Sequence, residues 1–174
     1  MITGNFYYIS DDYYEKFKNC GLMGNKAEDE EGKHGRPCFY CFRQDDLYWM
    51  VPISSQIEKY KKLYHEKMER YNGKFDGIRF GYVNAQERAF LIQNVCPVTE
   101  KYIESEYRIE NNTRPVTINA ALSKELNGII RKVLRLYKDR GIKIVLTDLD
   151  TILMGLHAEN TVESLNRKCL LDFK

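Results

Sequence analysis

Apolar residues recur along this chain at the two periods that separate strands from helices, and the two kinds of segment are unevenly distributed. Residues 37–43 and 47–53 are aromatic and apolar runs on either side of Gln44-Asp45-Asp46, a hairpin spacing. A short aromatic piece at 6–10 runs into Asp11-Asp12, which predicts a strand followed by a helix over 13–20 that stops at Gly21. Residues 21–35 are polar, acidic and punctuated by glycine, and read as a loop. From 55 to 71 the pattern turns helical, with Ile57, Tyr60, Tyr64, Met68 and Tyr71 on one face at spacings of three and four. Strand-like pieces return at 77–83 and 88–93, and Pro97 predicts the start of a helix reaching about Tyr107. A longer helix begins near Thr117 and presents Leu122, Leu126, Ile129, Val133 and Tyr137 at core spacing. It ends at Lys138, Arg140 and Gly141, cations and a glycine where a helix C-terminus favours them. Residues 142–146 fit a strand or a connector, and a last helix runs from Asp148 to about Leu156. Strands cluster early and long helices late. The expected class is α+β, an antiparallel sheet partly wrapped by helices.

Composition narrows the class without naming a function. A chain of 174 residues, 43% hydrophobic, is expected to form a single domain over 1–174 with a substantial core. No apolar run approaches the ~18–20 residues of a membrane span, and the start MITGNFYYIS lacks the features of a signal peptide. The expectation is a soluble, cytoplasmic protein with no membrane partner. The net charge of +2 is a near cancellation, but its distribution is informative. Glu28, Asp29, Glu30 and Glu31 form an acidic block, whereas Lys59 to Lys74 carry six Lys/Arg against two Glu. A basic stretch in a chain with 13 Tyr, 8 Phe and 1 Trp has what nucleic-acid binding uses, cations for phosphates and rings for unstacked bases. A solvated helix face with core aromatics accounts for the same residues.

Three candidate constellations have a bland alternative that suffices. Cys38 and Cys41, with His34 and Cys20 nearby, resemble half a zinc site, but positions i and i+3 of a strand face opposite sides. Asp148-Leu-Asp150 looks like a metal or phosphotransfer motif, yet Thr147 to Asp150 also has the spacing of a helix capping box. His34, His65 and His157 are scattered and give no reason to pair as acid and base. No metal site and no cofactor are expected.

The element Trp49-Met-Val-Pro-Ile-Ser-Ser-Gln56 is different, because a strand ends at two hydroxyls and a basic helix begins at once. Ser55-Gln-Ile-Glu58 has capping-box spacing, which would leave Ser54 as the freer hydroxyl. The same two hydroxyls, with unpaired amides at a helix N-terminus, would equally receive a phosphate.

The run Arg36-Pro-Cys-Phe-Tyr, followed by Tyr48-Trp-Met-Val-Pro-Ile-Ser-Ser55, resembles the core of the ToxN/AbiQ family, including its CptN branch. These are toxins of type III toxin–antitoxin systems. The opening Phe6-Tyr-Tyr-Ile-Ser-Asp-Asp-Tyr13 and the stretch 89–104 with Asn94-Val-Cys-Pro97 are similar to further segments of that family, and the likeness covers roughly residues 6 to 156. The resemblance implies a highly twisted antiparallel sheet, akin to MazF/PemK-like barrels, wrapped by helices. It implies a metal-independent, sequence-selective endoribonuclease of phage defence that cleaves mRNA and its own antitoxin precursor. The expected ends are a 2′,3′-cyclic phosphate and a 5′-OH. The implied partners are antitoxin RNA repeats in a closed protein–RNA oligomer, with cellular or phage RNA as substrate. Its hydroxyl pair falls on Ser54 and Ser55, its tyrosine on Tyr13, and its basic residue on Arg36 or Lys33. A lysine that family members often carry two residues after the second hydroxyl is Ile57 here, so Lys59 takes over that phosphate contact or the role is absent. The remaining RNA-binding candidates are His34, Lys61, Lys62 and Arg70. Ile57 keeps open a non-catalytic RNA-binding module with a degenerate site. A structural or protein-binding domain with a merely solvated basic helix is the other class.

Overall fold

The computed structural model describes residues 1–25, 35–142 and 144–171, with side chains described as far as residue 161. Nine strands and four helices follow one another along these residues: β1 (Phe6–Ile9), α1 (Asp11–Lys16), β2 (Cys38–Gln44), β3 (Leu47–Ser54), α2 (Ile57–Arg70), β4 (Arg79–Val83), β5 (Gln86–Phe90), β6 (Cys96–Val98), β7 (Ile103–Glu106), β8 (Arg108–Ile109), β9 (Arg114–Pro115), α3 (Ala120–Arg140) and α4 (Leu149–Leu171). Single 3₁₀ turns occupy Ile92–Asn94 and Glu100–Tyr102. No helix among the described residues is long and apolar enough to cross a membrane.

The predicted hairpin of β2 and β3 forms the centre of the sheet. Gln44 pairs with Leu47, so the turn is only Asp45-Asp46, with Asp45 at φ 54° and Arg43 bonded to both turn residues. Tyr40 pairs with Met50 and Phe42 with Trp49, which leaves Cys41 as a bulged extra residue. Cys38 and Cys41 pack into opposite core clusters, as strand alternation predicts, and burial pushes both thiols well above their usual range.

The sheet is antiparallel and open, in the order β4-β5-β3-β2-β1-β7, with β6 paired to the second edge of β3. This corrects the expectation of a MazF/PemK-like barrel. A barrel turns one face inward on itself, whereas helices cover both faces here. Leu126, Ile130 and Val133 of α3 pack on Phe39, Val51 and Phe90. On the opposite face, Tyr13 and Phe17 join Ile152 and Leu156 of α4 against Tyr40, Met50 and Cys96. Each fully buried aliphatic of these layers contributes about 1.5–3 kcal/mol.

A second correction concerns 97–107. The expected helix is replaced by β6, the turn Glu100–Tyr102 and β7, because both flanks find open strand edges. Cys96 to Val98 pair with Tyr48 to Met50 of β3, and Ile103 to Glu106 pair with β1. Val98, Thr99 and Tyr102 are buried by this path, and pairing outweighs a modest helix propensity. The first helix is also displaced, spanning Asp11–Lys16 rather than 13–20.

Helix α3 follows its sequence closely. The Asn119 side chain accepts from the Leu122 N–H at 2.8 Å, and Gly141, left-handed at φ 61°, ends the helix with its N–H on Tyr137 O. Residues 142–146 contain no strand among those described. The capping residue of α4 is Asp148, one position later than the spacing suggests. Its carboxylate accepts from the Thr151 N–H and hydroxyl, whereas Asp150 accepts from Tyr137 O–H at 2.9 Å.

Glu159 ties α4 to the rest of the molecule. It accepts from Tyr102 O–H at 2.8 Å, lies 2.8 Å from Lys101 Nζ and pairs with Lys16. Burial works to raise its pKa, but the bonds from Lys101, Lys16 and Tyr102 prevail and hold the carboxyl below its ordinary 4.5. A depressed folded-state pKa contributes stability above the unfolded value that is lost as pH falls through the folded one. Glu159→Gln is therefore expected to lose about 1 kcal/mol at neutral pH. Paired thermal melts of wild type and variant should converge as pH drops well below 4.5; a gap that persists in acid would mean the effect is one of packing.

Candidate functional site

The carboxyl end of β3 meets β5 through only two pairs, Ile53 with Phe90 and Ser54 with Ala89. Continuing that antiparallel register places Ser55 opposite Arg88. Both residues line a cleft of about 270 Å³ whose other walls include Tyr8, Asn84, Gln86 and Tyr107. No carboxylate is among its lining residues, and Arg88 is the charged side chain that lines it. The β4–β5 turn, Asn84-Ala85, has φ 49° and 59°, the geometry of a tight hairpin turn that carries Gln86 and Arg88 back towards β3. Arg88 is half-buried, donating to Glu87 O at 3.1 Å and to Gln86 Oε1, so its guanidinium is held in place. The rings of Tyr8 and Tyr107 meet edge to face at 5.6 Å. Burial, with Tyr107 beside it, pushes the Tyr8 phenol up to about 12, so it stays protonated across the neutral range.

The two serines diverge. Ser54 is 7% exposed, and its Oγ accepts from the Gln56 N–H at 3.2 Å. Ser55 is exposed, and its hydroxyl has no hydrogen-bond partner among the described residues. The capping box expected at Ser55 is not formed: Gln56 is the N-cap of α2, and no side chain caps that helix. The freer hydroxyl is thus Ser55 rather than Ser54.

The other predicted residues are placed as follows. Arg36 donates through Nη1 to Ile53 O at 3.0 Å and through Nε to Gly24 O at 3.2 Å, bracing the strand just before the serines. Tyr13 is fully buried and donates to Pro97 O at 2.7 Å, among Tyr14, Phe17 and Tyr102, so the structure does not bring it to the cleft. Ile57 packs into the cluster of Tyr60, Phe75 and Leu91, and Lys59 is exposed with its Nζ 5.7 Å from the Tyr60 ring. Lys61 is paired with Glu87 at 2.8 Å, while Lys62 and Arg70 are exposed. Lys33 and His34 lie outside the described residues. Among the described residues no group of three or more His, Cys, Asp or Glu is arranged to hold a metal.

Sequence reasoning missed Arg88, Gln86, Asn84, Tyr8 and Tyr107. For Tyr8 a signal existed: alternation in β1 puts it on the face of Phe6, opposite Tyr7 and Ile9. Arg88 reads in isolation as an ordinary strand arginine, and only the β3–β5 register reveals its neighbour.

No known protein family and no curated protein matches the chain by sequence. Solved structures share its architecture, two of them as follows. One is AbiQ, a lactococcal anti-phage endoribonuclease of the type III toxin–antitoxin system, with a TM-score of 0.61 at 13% identity over 94% of this chain and 99% of that one. The other comes from a bacterial antiviral system regulated by a processed non-coding RNA, with a TM-score of 0.61 at 12% identity over 88% of this chain and 97% of that one. The chain shares their fold over most of its length.

Proposed function

We propose that this protein is a metal-independent, sequence-selective endoribonuclease, the toxin of a type III toxin–antitoxin system, acting as a single domain. The observation that carries the reading is the meeting of Ser55 and Arg88 in a carboxylate-free cleft on an AbiQ-like fold. RNA supplies its own nucleophile. The 2′-OH attacks the adjacent phosphorus, an O2′–P bond forms and the P–O5′ bond breaks, giving a 2′,3′-cyclic phosphate and a 5′-OH. One proton leaves the 2′-OH and one is taken up by the departing oxygen, so no co-reactant is needed. In this reading Ser55 orients the reacting groups. Arg88 takes the place left by Ile57 and meets the charge growing on the nonbridging oxygens, assisted by the uncapped amides of α2. Arg36 and Ser54 act as positioning residues for the strand end. Tyr8 and Tyr107 offer ring surfaces to flanking bases, and Lys59, Lys62 and Arg70 extend a basic side along α2 for the remaining phosphates. The inhibitor is an antitoxin RNA made of repeats that the enzyme itself processes, held in a closed protein–RNA assembly; cellular or phage RNA in the cytoplasm is the substrate.

The packing of Ile57 into the core favours one other reading, an RNA-binding module without activity. Incubation with structured RNA in excess EDTA separates the two. Cleavage to cyclic-phosphate ends is expected to persist at an unchanged rate. Binding without cleavage would establish the module, and activity lost on chelation and restored by Mg²⁺ would overturn the metal-independent mechanism.

A further inference from the structure

A second hollow, of about 700 Å³, lies between the β2–β3 hairpin, the carboxyl half of α3 and the first turns of α4, and it shares no lining residue with the cleft. Its volume falls within the ~300–1,000 Å³ range of small-molecule sites. Its walls divide by chemistry. Trp49, Leu149 and Leu153 give an apolar side, while Asp45, Asp139 and Asp150 also line the hollow, Asp150 accepting from Tyr137 O–H. Arg131, Arg135 and Lys138, spaced by four and three residues on α3, line up along about 10 Å of one helix face. None of the three has an acidic partner among the described residues, and all are exposed. The Arg131 guanidinium lies 3.8 Å from the centre of the Phe42 ring, which holds it at the edge of the hollow. Trp49 is 7% exposed, with its indole nitrogen buried and the rest of the ring at the base of the apolar side.

Two unmatched demands therefore converge: apolar surface and a row of unpaired cations. An apolar ligand would leave the cations unmet, and a bare anion would leave the apolar wall open. A flat ring joined to a phosphate meets both. We propose that this hollow is a nucleotide-binding site, separate from the cleavage cleft. The base lies against the apolar wall beside Trp49, and the phosphate sits between Arg135 and Lys138. The nucleotide is either free or one unit of an RNA strand, and the chemistry of recognition is the same for both.

Trp49 is the chain's single tryptophan, so its emission reports on this site alone. The intact protein is titrated with 5′-AMP, adenosine, inorganic phosphate and a 2′-O-methyl oligoadenylate that lacks the attacking hydroxyl. A saturable change with 5′-AMP identifies a site for free nucleotides, and one with the oligoadenylate alone identifies a site for a strand; either supports the proposal. Affinity should fall by about tenfold or more in an Arg135→Ala/Lys138→Ala double variant. Lys138→Arg should bind as wild type does, 5′-AMP should bind Arg88→Ala as it binds the wild type, and melts of all variants should be unchanged. The proposal is overturned if neither nucleotide probe saturates, if adenosine or phosphate alone binds as well as 5′-AMP, or if binding is lost with Arg88→Ala and kept in the double variant.

Discussion

Replacing Arg88 with alanine is expected to slow RNA cleavage by about two to three orders of magnitude while leaving the melting temperature unchanged. Arg88 lines the cleft that contains Ser55, and its contacts to Glu87 O and Gln86 Oε1 are local, within β5 itself. Its loss removes charge from the site without removing a core contact. Arg88→Lys should recover part of the rate, since a point charge survives but the planar fork does not. Initial rates on saturating RNA, paired with thermal melts, measure both properties. A variant that keeps a rate within about threefold of wild type would show that the cation at the phosphate lies elsewhere, and a donor effect of this size would not have been removed.

The adjacent serines should separate activity from stability. Ser55→Ala removes an exposed hydroxyl with no internal partner, and is expected to lower the rate by about a hundredfold with no change in stability. Ser54→Ala removes the acceptor of the Gln56 N–H at the entry to α2, so it should cost about 1 kcal/mol and about 2–4 °C in melting temperature. Activity of the folded fraction should survive largely intact. If the two variants exchange phenotypes, Ser54 is the reacting-group contact and the strand end must rearrange when RNA binds.

The parts of this fold that were legible share a physical cause. In β2, β3 and α3 the local period, the turn chemistry and the core demand agree. Asp45-Asp46 sits between two apolar runs, and Leu126, Ile130 and Val133 fall at helical spacing before a left-handed Gly141. The stretch 97–107 misleads because its charges fit a helix while its burial depends on strand edges supplied by distant residues. Val98 is buried because β3 has a free edge beside Tyr48, fifty positions away. The open sheet was illegible for a related reason: which strands end a sheet depends on what covers its faces. The site was half legible. The serines announce themselves by the abrupt change from strand to basic helix, although their roles do not, since a one-residue shift of the cap decides which hydroxyl is free. Tyr13 draws attention as a conspicuous tyrosine after a strand, yet its hydroxyl is spent on Pro97 O inside the core. Arg88 comes to Ser55 through a long-range pairing, which a local pattern does not contain.

The first strand of the chain lies between β2 and the much later β7. Its pairing closes a loop of nearly a hundred residues, an entropic step that precedes its own reward. Tyr8 and Tyr107 meet across that same closure. The β2–β3 hairpin can form as soon as it leaves the ribosome, but one wall of the cleft waits until β7 and Tyr107 have been made. During synthesis, then, the serines emerge well before the pocket around them is complete. Of the residues that line the cleft, Tyr107 is the last to be made, after both Ser55 and Arg88.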